Sequence, residues 1–172
     1  LGAAQAGIIM GRRNLVQACG SHPLMRALRP GKLALSALEA TLRIYMDGAD
    51  VAHRDIPVLS MLTLPQAHLE RRARKLRDRM VAGLDKAGCP CAVQVEIVEE
   101  SSTPGGGSLP TVELPTMCVA VRLVDERLTV DALKRSLVQD FDTPVVTRTL
   151  HDRILFDVRT LVGDRDIETA AS

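Results

Sequence analysis

Aromatic side chains are nearly missing: among 172 residues there is no Trp, one Tyr and two Phe, 2% in all. Base stacking on aromatic platforms is therefore not the expected route to a nucleic acid, and the core must be built from Leu, Val, Ile, Ala and Met. No run of 18 apolar residues occurs, so no helical membrane span is expected, and no basic stretch, apolar h-region and small-residue cleavage site together mark a signal peptide. The expected location is cytoplasmic. Cysteine is scarce as well. Cys19, Cys89, Cys91 and Cys118 are too few and too irregular for a disulfide framework, and the C-P-C at Cys89 to Cys91 is not a zinc-knuckle spacing. Free buried thiols are the expected reading. His22, His53, His68 and His151 lie far apart without an HExxH or HxH pattern, so no metal site is expected.

What is present is ordinary globular material, 46% hydrophobic and 25% charged, enough for one domain or one and a half. The net charge of +1 hides an asymmetry: residues 1–91 carry 14 basic and 7 acidic side chains, residues 92–172 carry 8 and 14. Such a division suits an anionic partner and suits two segments packing on each other equally well.

Along the chain, Gln5 to Gly11 (QAGIIMG) reads as a short apolar strand. Because it begins almost at once, and Leu1 rather than Met opens the chain, the start reads as internal. Short helical turns follow at Arg12 to Ala18 and Leu24 to Leu28. From Leu33 to Met46 the residues Leu35, Leu38, Leu42 and Tyr45 recur at threes and fours, predicting an amphipathic helix that Asp47 and Gly48 end. Ala49 to Pro57 is polar and irregular and reads as a linker, which divides the chain into residues 1–57 and 58–172. After Pro65 a second long helix carries Leu69, Ala73, Leu76, Met80 and Leu84 on one face and closes at Gly88. The period then changes. Ala92 to Val98 alternates and Met117 to Val124 is a β-branched apolar run, both strands. Thr129 caps a helix to about Gln139, Val145 to Leu150 and Ile154 to Val158 make a hairpin, and a terminal helix starts at Asp164. Helix, strand, strand, helix and hairpin describe a small α+β domain with one sheet covered by helices.

Three stretches carry a family likeness: LGAAQAGIIMG at Leu1 to Gly11, HPLMRALRPGKLALSALEATLRIY at His22 to Tyr45, and GGGSLPTVELP at Gly105 to Pro115. With LHDRILFDVRTL at Leu150 to Leu161 they resemble, in order and along nearly the whole chain, the C-terminal part of bacterial L-seryl-tRNA(Sec) selenium transferases. The resemblance implies an α/β chain, the C-terminal part of a type I pyridoxal-phosphate-dependent (aminotransferase-like) fold: residues 1–57 as the remnant of the large cofactor domain, residues 58–172 as the small α+β domain. It implies the conversion of L-seryl-tRNA(Sec) to L-selenocysteinyl-tRNA(Sec) with selenophosphate as donor, pyridoxal 5'-phosphate as the electron sink, and self-association into a homo-oligomer. In the family the Schiff-base lysine lies in a G-D-K-L-L-G-G-P-Q-like motif. Leu1 aligns with its second leucine, so the lysine is expected just upstream of Leu1 and the isolated chain is expected to be inactive. Gly2-Ala3-Ala4-Gln5 departs from the motif's Gly-Gly-Pro-Gln, and Ala does not reproduce the φ values that Gly and Pro set.

Arg26 and Arg29 match the arginines to which the family assigns the selenophosphate-like anion. Spaced i, i+3 on a short helix, two guanidiniums can grip a tetrahedral oxyanion; without the resemblance they would read as solvated surface arginines. Lys32 stands at a helix start, where a cation opposes the macrodipole, and reads either as an auxiliary phosphate contact or as a surface lysine. Gly105-Gly106-Gly107-Ser108 lacks the Lys-Ser/Thr of a phosphate loop; it reads as a loop at the active-site mouth or as a plain connection. Arg71, Arg72, Arg74, Lys75, Arg77 and Arg79 make the second long helix basic, which suits either a tRNA backbone or a solvated face. For Arg159 a structural ion pair is expected. Two other readings compete with the transferase: a paralogous type I enzyme eliminating from a free amino acid, and a non-enzymatic module that docks on full-length subunits through the Leu33 to Met46 helix.

Overall fold

The structure, a computed structural model, describes residues 2–89, 91–104, 111–124 and 127–171. It is a mixed α/β chain whose contacts separate it into two compact units, residues 1–60 and 61–172.

The first unit is helical: α1 (Arg13–Ser21), α2 (Met25–Leu28), α3 (Lys32–Met46), α4 (Ala49–Asp55) and the start of α5 (Pro57–Thr63). The stretch predicted as a strand, Gln5 to Gly11, is not one. A strand exists through ladder hydrogen bonds to a neighbour, and among the described residues this unit has no strand to supply them. Ile8, Ile9 and Met10 consequently stand exposed. The predicted linker is also different, being two short helices. Gly48 takes φ 113° and begins α4, which carries Asp50 in its first turn and His53 and Arg54 in its last, complementing the helix dipole at both ends. Pro57 occupies the first position of α5, where its missing N–H costs nothing and its fixed φ suits the helix. It starts a helix there instead of breaking one. The buried hydrophobic residues of this unit are Ala52 and Ile56. Tyr45, Leu38 and Ile44 of α3 are half-buried, while Leu33 and Met46 are 89% and 85% exposed.

The second unit holds α6 (Gln66–Lys86), β1 (Val93–Ser102), β2 (Leu114–Leu123), α7 (Val130–Gln139), β3 (Arg148–Leu150), β4 (Arg153–Asp157) and α8 (Asp164–Ala171). The four strands form one antiparallel sheet in the order β1-β2-β4-β3. Period-2 alternation sends Met117, Val119 and Val121 of β2, with Ile154 and Phe156 of β4, to one face. There they meet Leu69, Ala73, Leu76 and Met80 of α6, Leu137 of α7, and Ile167 and Ala170 of α8. Cys118, Ala120 and Leu155 bury on the opposite face beside Val98 and Leu150. A strand covered on both faces reads as an unbroken apolar run, as β2 does. Thr129 caps α7 as expected, its hydroxyl accepting from the Ala132 N–H at 3.2 Å. The turn joining β3 to β4 puts both His151 and Asp152 at positive φ, 49° and 57°, the requirement of a type I′ hairpin turn.

Candidate functional site

The segment bearing the three candidate cations is built from local signals. His22 starts α2 twice over: its ring Nδ1 accepts from the Leu24 N–H at 3.2 Å and its carbonyl accepts from the Met25 N–H at 2.9 Å. Pro30 then forces the preceding residue out of the helical region, and Arg29 has φ −65° with ψ 125° as the C-cap. Because its φ is still helical, Arg29 sits one turn beyond Arg26, within a segment that Pro30 stops. Gly31 caps α3 with extended backbone, its carbonyl accepting from the Leu35 N–H at 3.1 Å, and Lys32 is the first residue of α3. Arg26, Arg29 and Lys32 are all exposed. None of the three side chains has a hydrogen-bond or ion-pair partner among the described residues. The first turn of α3 holds no acidic residue and its N-cap offers no side-chain bond, so its leading N–H groups and partial positive charge are unsatisfied by the helix itself.

A shallow cavity of about 760 Å³ lies nearby in sequence, lined by Ile9, Met10, Gly11, Arg13, Val16 and Gln17. Arg13 has no spacing signal that would single it out, and only the fold brings it to this cavity.

The basic stripe of α6 has a different destination. Lys75 pairs with Asp164 at 2.5 Å and Arg79 with Glu168 at 3.0 Å, both on α8, while Arg72 donates to the Leu161 carbonyl at 2.7 Å. Arg74 reaches Glu70 at 3.6 Å and Arg77 reaches Asp78 at 2.5 Å. Lys75 holds the Asp164 carboxyl below its usual pKa through a hydrogen bond first and its charge second. Five of the six cations therefore have internal partners, and the charge asymmetry between the halves of the sequence is met in part by α6 packing on α8.

Arg159 departs from expectation. It is buried, and its guanidinium donates to carbonyl oxygens, Pro115 at 2.6 Å, Met61 at 2.7 Å and Leu62 at 3.5 Å, instead of to a carboxylate. The reason is local: Asp157 already accepts from the Thr116 hydroxyl at 2.7 Å and from the backbone N–H of Arg159 at 3.0 Å, and meets Arg148 at 3.5 Å. The thiols differ too. Cys118 is buried as expected, but Cys19, Cys89 and Cys91 are exposed, because only Cys118 lies on a covered strand. Burial, helped by the Asp157 charge and opposed by Arg148, pushes the Cys118 thiol up to about 11. The glycine run at Gly105 to Ser108 lies outside the described residues.

Pyridoxal phosphate needs a lysine amine facing a cavity and donors for its phosphate. Lys75 is committed to Asp164, Lys32 and Lys86 are exposed at helix ends, and Lys134 lies on α7. None of the four lines the cavity beside Arg13 or the apolar cavity of about 300 Å³ between α6, α7 and the sheet. The described residues do not build an attachment point for this cofactor. Nor is any helix among them long and apolar enough to cross a membrane.

Comparison with known proteins places these features in a lineage. The chain is 39% identical over 171 residues to an L-seryl-tRNA(Sec) selenium transferase of Aquifex aeolicus, covering 98% of this chain and 34% of that protein. It is 41% identical over 164 residues to the protein of that name in Solidesulfovibrio magneticus, 95% of this chain and 33% of the relative. The same name and identity apply to a Moorella thermoacetica protein over 172 residues, 99% of this chain and 34% of the relative. The chain thus spans about a third of the length of these relatives. A family model described as L-seryl-tRNA selenium transferase matches residues 1–162, and with these identities the chain belongs to the L-seryl-tRNA selenium transferase family.

Proposed function

We propose that this chain serves in the conversion of L-seryl-tRNA(Sec) to L-selenocysteinyl-tRNA(Sec), in the cytoplasm, as part of a type I pyridoxal-phosphate enzyme that takes selenium from selenophosphate. The observation that carries the reading is the family match over residues 1–162. In this reading residues 1–57 belong to the large domain and residues 58–172 form the small one. The cofactor would supply an electron sink; its lysine would stand outside these 172 residues, leaving the chain inactive alone.

The chain's own contribution is to hold the anionic donor. Arg26 and Arg29 each offer a fork of N–H donors, Lys32 adds a point charge, and the open N-terminus of α3 begins directly after the same short connection. Three exposed cations without internal partners, beside a helix start without an acid, support this role. Self-association is part of the reading: the apolar stripe of Leu35, Leu38, Leu42 and Met46 on α3 lines an open groove of about 460 Å³.

The test is a chimera in which these 172 residues replace the matching third of the Moorella thermoacetica relative. Selenophosphate-dependent conversion of seryl-tRNA(Sec) is expected. The pair R26A/R29A should raise KM for selenophosphate at least tenfold with the protein still folded. Elimination from free amino acids with no reaction on the charged tRNA would overturn the reading in favour of a lyase. The isolated chain, treated with the cofactor and borohydride, should carry no cofactor on Lys32, Lys75, Lys86 or Lys134.

A further inference from the structure

The turn between α6 and β1 carries two cysteines that the proposed chemistry does not use. α6 ends on Gly88 at φ 72°, the left-handed residue that lets a helix close on itself: the Gly88 N–H reaches the Asp85 carbonyl and the Cys89 N–H the Leu84 carbonyl, both at 3.1 Å. Cys89 is thereby pinned to the helix. Its carbonyl in turn accepts from the Ala92 N–H at 3.2 Å, and the Ala92 carbonyl accepts from the Val124 N–H at 3.0 Å, so the chain leaving the turn is pinned to β2. Two residues separated by one other in a trans chain hold their Cα atoms roughly 5 to 7 Å apart, since consecutive Cα atoms lie about 3.8 Å apart. That matches the window of about 4.4–6.8 Å that a disulfide spans. Both cysteines are exposed and unbridged, the Cys89 thiol donating to the Ala87 carbonyl at 3.6 Å.

We propose that Cys89 and Cys91 are a reversible disulfide site, oxidised by a low-molecular-weight disulfide. One thiolate attacks a sulfur of the small disulfide, breaking its S–S bond, releasing one small thiol and leaving a mixed disulfide on the protein. The second cysteine attacks the protein sulfur of that mixed bond, forming the Cys89–Cys91 disulfide and releasing the second small thiol. The two cysteines lose two electrons to the small disulfide, and their two protons end on the two released thiols. A bond that closes so small a ring on an exposed turn belongs to the labile, easily reduced class. Metal capture is the weaker use of the pair, because no group of three His, Cys, Asp or Glu side chains suited to an ion occurs among the described residues.

The other two cysteines serve as internal controls: Cys19 is exposed on α1 without a neighbouring cysteine in sequence, and Cys118 is buried. The experiment exposes the 172-residue chain to excess oxidised glutathione, quenches with acid and maps the peptides by mass. The expected result is loss of two hydrogens from the peptide bearing Cys89 and Cys91, no glutathione on either, reversal by dithiothreitol, and glutathione retained on Cys19. In C89S or C91S the remaining cysteine should keep one glutathione. Glutathione held stably on both Cys89 and Cys91, disulfide-linked dimers through them, or both staying reduced while Cys19 reacts would each overturn the proposal.

Discussion

Arg159 donates from its guanidinium to the Met61 carbonyl at 2.7 Å across 98 positions of sequence, and thereby fastens the first residues of the second unit to the end of its sheet. The same side chain holds the Pro115 carbonyl at 2.6 Å. Arg159→Met keeps the bulk and removes the donors from the Met61 and Pro115 carbonyls. The expected cost is about 2–3 kcal/mol, as for hydrogen bonds from charged groups, read as a lower urea midpoint with an unchanged slope.

The core of the second unit should be far more sensitive than the helices of the first. Leu76 is fully buried between α6 and the sheet, whereas Leu33 is 89% exposed on α3. Leu76→Ala is expected to cost about 2–5 kcal/mol and Leu33→Ala to stay within about 0.5 kcal/mol, compared by denaturant titration of the two variants. An equal cost for both would contradict the burial described.

The β3–β4 turn stores backbone strain, since His151 and Asp152 both sit in the left-handed region that Asn and Gly occupy at lower cost. The double substitution H151N/D152G should therefore stabilise the chain by about 1 kcal/mol, visible as a rise in Tm. A fall would mean that one of the two side chains makes a contact worth more than the strain.

Thiol reactivity should separate Cys118 from the rest. With its thiol pushed up to about 11, Cys118 remains protonated where an unfolded thiol, at about 9, has begun to ionise. Its folded-state value is the raised one, so its contribution to stability is fully present below about pH 9 and declines as the pH rises toward 11. Alkylation at pH 8 should label Cys19, Cys89 and Cys91 rapidly and Cys118 only on unfolding, counted by mass.

The sequence by itself determined the elements whose periodicity survives in any context. Leu69, Ala73, Leu76 and Met80 recur at helical spacing and form the buried stripe of α6; the apolar run around Met117 to Val121 is a doubly covered strand; Thr129 caps its helix through a bond to a residue three positions on. The motifs around Leu1 to Gly11 and His22 to Tyr45 were equally legible as a family signature. Those signals are local, so no distant partner had to be known to read them.

What only the tertiary structure decided depends on distant partners. Gln5 to Gly11 has the composition of a strand, yet a strand is a property of two segments, and this unit supplies no second one among the described residues. The cations of α6 are counted in sequence as a basic stripe, but Asp164 and Glu168, some ninety positions later, take up Lys75 and Arg79, and the carbonyl of Leu161 takes Arg72. Arg26, Arg29 and Lys32 carry the same charges and meet no such partner. Residue type sets how much charge a helix holds, and packing sets how much of it is left for a ligand.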